Sequence, residues 1–328
     1  MTTRRTLLSA LAASALAYPL APFAQQQARV WRIGFLNGAA RPADGSPPAA
    51  LRQALAELGY VEGRSVLYEG RWAEGKFAIL PRLAAELVSI PVDAIVVTGW
   101  QASDAVRRAT STIPIVSALA GEAVSSGLVA SLQRPGANLT GVSDMAVELS
   151  AKRLQLLKET FPKASLIAVL WNQDDLGMTL RYREIDSAAR TLAVAVQPLG
   201  VRVPDDFDAA FSAMRRERPD ALFLVADPLT TLNRKRVIEF AAAHHIPAMY
   251  EFSPLVQDGG LMSYGPSQDD LIRRTAYYVD RILKGSKPGD LPMEQPTRYY
   301  LFVNMKTANS LGVKIPDSIL LRADKVIE

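Results

Sequence analysis

The sequence predicts an α/β protein of doubly wound parallel sheets, with one architecture repeated in two halves. Three observations lead there. Short apolar runs such as Ala94-Ile-Val-Val-Thr98 and Ala221-Leu-Phe-Leu-Val-Ala226 lack polar alternation, as strands covered on both faces do. Helical patterns separate the runs, the order that right-handed parallel crossovers require. A chain of 328 residues suits two domains of ordinary size.

Val30-Trp-Arg-Ile-Gly-Phe-Leu36 is the first strand and ends in Asn37-Gly38. A Pro- and Gly-rich loop leads to a helix with Leu51, Leu55 and Leu58 on one face and Gly59 as its stop. Ser65 to Gly70 is the second strand and Phe77 to Val88 the second helix. The stretch from Pro91 to Gly141 organises the fold. Its strand ends at Thr98, Gly99-Trp100-Gln101 follow, a helix covers Ala102 to Ala109, and Pro114 to Ser117 form the next strand.

After Gly141 the pattern restarts. Leu149, Leu154, Leu157 and Phe161 mark a helical face, and Ser165 to Trp171 a strand. Met178, Tyr182, Ile185, Ala189 and Leu192, spaced alternately by four and three, give a helix with one buried stripe. A strand near Val194 to Leu199, a helix holding Phe207, Phe211 and Met214, and a strand closed by Asp227-Pro228 come next. A helix from Leu232 to His244 and a strand from Ile246 to Glu251 complete this half. Leu261 to Tyr264 is a strand, and Ser267 with Asp270 forms a capping box for a long helix ending at Lys284-Gly285. Lys287 to Pro296, with three prolines, is a linker; Tyr299 to Val303, a short helix near Lys306 to Leu311 and a tail finish the chain.

Composition excludes several functions. Apolar content of 49% and a charged fraction of 21% describe a core-forming protein. The net charge of +4 falls to +2 without Arg4 and Arg5, with no basic tail or aromatic–basic interleave, so no nucleic-acid partner is expected. There is no cysteine, hence no disulfide and no thiolate site. The two histidines, His244 and His245, are adjacent at a helix end, where a cation meets the helix dipole. No metal, cofactor or catalytic residue is expected. The P-loop, nucleophile-elbow and zinc-protease motifs are missing, and Gly34-Phe-Leu-Asn-Gly38 is not a dinucleotide turn.

Residues 1–24 read as a secretory leader. Arg4-Arg5 are its basic end, Thr6 to Ala17 its apolar run, and Tyr18 to Ala24 its exit. Thr3-Arg-Arg-Thr-Leu-Leu8 also suits a twin-arginine route. Cleavage after Ala24 would place Pro22 where a small residue is usual. The apolar run is shorter than the ~20 residues a membrane span needs.

Arg134-Pro-Gly-Ala-Asn-Leu-Thr-Gly-Val-Ser143 and Asn304-Met-Lys-Thr-Ala-Asn-Ser-Leu-Gly-Val-Lys-Ile-Pro316, joined to Leu261-Met-Ser-Tyr-Gly-Pro266, carry a resemblance from about Trp31 to the C-terminus. They resemble the bacterial ABC-transporter substrate-binding proteins of the type I periplasmic-binding fold, some of which take up tryptophan or tyrosine. The resemblance implies two lobes joined by a three-segment hinge. The first would hold residues 30–143 and 264–292, the second 144–263 and 293–328, with crossings near Ser143, Tyr264 and Pro292. It also implies a periplasmic monomer that closes on a small molecule and passes it to an ABC permease. The ligand implied is an amino acid, aromatic ones included, or a related carboxylate. A sensor presenting ligand to a receptor is the alternative, ahead of an enzyme or a ligand-responsive repressor core on the same fold.

Parallel sheets bind ligands beyond the carboxyl ends of their strands. The candidates at those ends are Asn37, Thr98, Gly99, Trp100, Ser117, Ala118, Trp171, Asp227, Tyr250 and Tyr264. Thr98, Gly99, Ser117 and Ala118 would offer N–H and hydroxyl donors to a carboxylate, Asp227 a charge to an ammonium, and the rings a stacking surface. Glu251 ranks below Asp227. Each has a structural alternative: Trp100 as a helix cap, Trp171 as core, Asp227 and Asn37 as turn residues, Tyr264 as a hinge contact.

Overall fold

The computed structural model describes residues 29–328. The expected leader, 1–24, lies outside the described residues. Two sheets organise the chain.

The first contains β1 (Trp31–Asn37), β2 (Val66–Trp72), β3 (Ala94–Thr98), β4 (Ile115–Ala118) and β5 (Leu139–Gly141), in the order β2-β1-β3-β4-β5, all parallel. Alternation along β3 sends Ile95 and Val97 to one apolar cluster and Ala94 and Val96 to the other, so both faces are covered. On the first face lie α2 (Leu80–Val88) and α3 (Trp100–Ala109); on the second lie α1 (Ala49–Glu57) and α10 (Gln268–Leu283). Leu58 caps α1 and is largely exposed rather than part of its buried face. β5 was not evident in sequence, being three residues ending in glycine. Gly141 is required there, because a side chain would run into the Ser117 backbone of β4.

The second sheet takes β6 (Leu166–Asn172), β7 (Ala195–Val201), β8 (Ala221–Leu224), β9 (Ala248–Tyr250), β10 (Met262–Gly265), β11 (Tyr300–Asn304) and β12 (Lys325–Ile327), in the order β12-β11-β10-β9-β8-β6-β7. Only the β10–β11 pair is antiparallel. The expected tail therefore contains an edge strand, anchored by Asn304 opposite Ile327. α4 (Ala146–Thr160) and α5 (Leu176–Thr191) cover one face, and α6 (Asp206–Glu217), α8 (Arg234–Ala243) and the short α9 (Ser253–Gln257) the other. The helix expected from Leu232 to His244 is α8, and a short helix that was not expected, α7 (Pro228–Leu232), precedes it and ends at Asn233.

Capping fixes where the helices that follow strands begin. The Asp175 carboxylate accepts from the Met178 N–H at 3.1 Å, opening α5. Asp227 and Thr230 form a reciprocal capping box on α7. Ser267 accepts from the Asp270 N–H to start α10, which makes half of the expected box.

The chain passes between the sheets after β5, after β10 and before β11. The first and last passages are bonded together: Ser143 N–H donates to the Glu294 carbonyl and Glu294 N–H to the Gly141 carbonyl. Among the described residues no helix is long and apolar enough to cross a membrane.

Candidate ligand-binding cleft

A cavity of about 200 Å³ lies where the two sheets face each other. Its walls are the residues just beyond parallel strands, where loop backbone and helix N-termini are exposed. From the first sheet come Asn37 after β1, Thr98 to Ala102 after β3, and Leu119 and Gly121 after β4. From the second come Asp175, Gly177, Met178 and Arg181 after β6, Ala226 to Pro228 after β8, and Phe252 after β9. Phe77, Leu80 and Ile272 complete an apolar side, and Asp144 enters from the first passage.

α3 presents its N-terminus to this space. Gly99, at φ 83°, is its N-cap and supplies no side-chain acceptor, so the first N–H groups of the helix are left for other partners. The walls meet through residues without bulk. A Cβ on Gly38 would lie 3.1 Å from Pro228, and one on Gly177 would lie 3.6 Å from the Trp100 Cβ.

Behind the cavity runs a buried ionic chain. Arg181 holds Asp144 at 2.9 Å and Glu251 at 2.6 Å, and Arg153 holds Glu251 at 3.0 Å. Arg153 also donates to the carbonyls of Ala146 and Tyr264, beside two of the passages between sheets. Burial opposes the Arg181 charge, but Asp144, Glu251 and Asp175 outweigh it and hold the guanidinium ionised. Burial pushes Asp175 up to about 7, with the Asp227 charge adding to it, and burial likewise raises Asp227.

Five of the sequence candidates line the cavity: Asn37, Thr98, Gly99, Trp100 and Asp227. Asn37 also closes its own turn, accepting from the Ala39 N–H, and Asp227 caps α7 while accepting from the Asn172 amide at 2.6 Å. The other five lie elsewhere, each for a geometric reason. Trp171 shares the alternation of Ile167 and Val169, which sends it into the core, stacked on Tyr182 at 3.9 Å. Tyr250 alternates with Met249 into the opposite core face. Ser117 turns under α3 to Ser103 at 2.7 Å, and Ala118 is still strand, so Leu119 and Gly121 take the cavity positions. Tyr264 packs near Tyr299 and gives its carbonyl to Arg153.

Sequence reasoning missed Asp144, Asp175 and Arg181, and undervalued Glu251. One signal was there: Arg181 stands three residues after Met178 and four before Ile185, inside the stripe read as buried.

This architecture has known relatives. The profile of the family described as ABC transporter substrate binding protein matches residues 43–327. The chain belongs to that family. A tyrosine-binding protein of Clostridioides difficile is 25% identical over 263 residues, 80% of this chain and 75% of that protein. A conserved domain protein from Vibrio cholerae superposes with a TM-score of 0.85 at 26% identity, over 91% of this chain and 100% of that one. A Streptococcus pneumoniae ABC domain in complex with L-Trp gives 0.84 at 25% identity, with the same coverage. The chain is thus an ABC transporter substrate-binding protein with parallel-sheet lobes, and its relatives are solute-binding proteins rather than enzymes.

Proposed function

We propose that the cleft captures a free amino acid with an aromatic or large apolar side chain, and that the closed protein delivers it to an ABC permease outside the cytoplasm, without catalysis. One observation carries this reading. Four residues of the cavity wall each leave a buried polar atom without a partner: Trp100 Nε1 and Arg181 Nε as donors, Gln101 Oε1 and Asp144 Oδ1 as acceptors. Buried polar atoms are almost always paired, so such a group around an apolar-sided cavity calls for a small molecule with both donors and acceptors.

The rest of the wall fits the same ligand. The open N-terminus of α3 suits a carboxylate, Asp227 and Asp175 suit an ammonium, and Trp100, Phe77, Leu80 and Phe252 suit a ring. The L-Trp complex and the tyrosine-binding relative support an aromatic side chain. A leader at 1–24 and a monomeric working form belong to the same reading.

A thermal-shift panel of the twenty amino acids on the protein without residues 1–24 tests it. At a hundred times the Kd, a ligand adds ~2.7 kcal/mol, a rise of a few degrees. Tryptophan, tyrosine or phenylalanine should give it, and Asp227→Ala and Trp100→Ala should each abolish it. A rise with sugars and none with amino acids would replace this reading.

A further inference from the structure

The charges around the cavity are unevenly matched. Arg153 and Arg181 compensate Glu251 and Asp144, all four side chains being at most 3% exposed. Asp175 and Asp227 remain, 3% and 6% exposed. Their hydrogen bonds come from neutral donors: the Met178 N–H for Asp175, and the Thr230 N–H and Asn172 amide for Asp227.

Among the described residues, no other element supplies a cation to the pair. Arg181 acts on Asp175, yet it is already held by two carboxylates. Across the cleft α3 carries Arg107 and Arg108, both turned to Asp104 of their own helix. Glu122 and Glu148, further along the seam between the walls, are both acids. The first wall covers these carboxylates when it meets the second, since Trp100 packs on Gly177 and Gly38 on Pro228. Closing therefore strips water from two neighbouring carboxylates, which is prohibitive unless a cation or protons accompany them.

We propose that Asp175 and Asp227 make closure conditional on a cationic group in the ligand, so that the empty cleft stays open at neutral pH and an amine-bearing ligand closes it. This rests on the amino-acid reading above and adds a requirement to it: the amine is the group that permits closure. Protons can substitute for it. With Asp175 raised to about 7 in the closed form, closure without ligand is favoured as pH falls through that value and lost as pH rises above it. Glu122 titrates with the same sign, so a Glu122→Gln background removes its share.

Small-angle X-ray scattering of the ligand-free protein is the first arm. The Glu122→Gln protein should be compact at about pH 5.5 and expanded at about pH 8.5. Adding Asp175→Asn and Asp227→Asn should make its radius of gyration independent of pH. Asparagine caps helices as well as aspartate, so the fold is retained, and Asp175→Asn alone should narrow the pH span.

Calorimetry is the second arm, with L-tryptophan against indole-3-propionate, which keeps the ring and carboxylate and lacks the amine. The Glu122→Gln protein should prefer tryptophan by ~100-fold or more, and the triple variant by at least ~10-fold less. Identical pH courses in the two scattering series, or an unchanged tryptophan preference in the triple variant, would overturn the proposal. Failure of tryptophan, tyrosine and phenylalanine to bind the wild type would instead sink the amino-acid reading, and the scattering arm, which needs no ligand, would still decide this one.

Discussion

The two walls of the cleft differ in kind. The wall built on the first sheet, from Asn37 to Gly121 with Gln268 and Ile272, contains no charged residue lining the cavity. All four charged lining residues, Asp144, Asp175, Arg181 and Asp227, stand on the second wall or on the passage leading to it. One wall offers rings and bare backbone N–H groups, the other fixed charge held by an ionic chain. In a binding protein that closes by bringing two walls together, such a division lets the ligand complete the electrostatics only when both walls are present.

The largest effect expected of a substitution separates the walls by stability. Arg153→Met leaves Glu251 with one partner fewer in a site from which water is excluded, and removes the donors to Ala146 and Tyr264. Breaking a buried pair from one side costs ~3–5 kcal/mol. Urea unfolding should show that loss as a lower midpoint with an unchanged slope. Trp100→Ala on the uncharged wall should instead cost mainly ligand affinity. Equal stability losses in the two variants would erase the distinction.

A middle-sized effect belongs to the seam. A methyl on Gly38 would come within 2.8 Å of the Phe77 ring edge and 3.1 Å of the Pro228 ring. Phe77 shares Gly38's wall and its ring edge can tilt aside, but Pro228 sits on the opposite wall and begins α7. Overpacking of this kind costs ~1–3 kcal/mol, and it falls on the closed form. Gly38→Ala should weaken ligand binding by ~10-fold or more while leaving the ligand-free melting temperature nearly unchanged. A matching drop in that temperature would mean the methyl strains the wall itself.

The sequence was most legible where one physical rule acts alone. Buried runs such as 94–98 and 166–172 admit little besides a covered strand, and strand ends followed by Gly99 or by Asp227-Pro228 mark the binding edge. Reading failed where alternation had to be counted from a fixed register. Trp171 and Tyr250 stand near strand ends, yet period two turns both into the core. It failed again where a charge is buried by partners distant in sequence. Glu251 meets Arg153 across 98 positions and Arg181 across 70. Arg181 stands inside a stripe read as buried, but nothing local names the carboxylates that either arginine meets, so only the folded arrangement shows how they are paired. β5 and β12 were missed because three residues are too few for any period.

The smallest effect tests the seam by pH. Glu122, on the loop after β4, faces Glu148 in the first turn of α4, so the pair spans the two walls. Burial, with the neighbouring Glu148 and Asp144 carboxylates adding, pushes Glu122 up to about 8, while Arg181 pulls the other way. An unfolded chain returns it to the ordinary carboxylate range. The folded protein therefore holds a proton that the unfolded chain releases, and its contribution is full below the unfolded value and fades as pH rises toward 8. Asp175 contributes with the same sign near 7. Glu122→Gln fixes the neutral form, so its stability should fall less steeply above pH 5 and exceed that of the wild type at pH 8. Asp175 keeps some slope in the variant. Parallel stability curves for the two proteins in urea would mean that water separates the carboxyl groups and that the walls meet without sharing a proton.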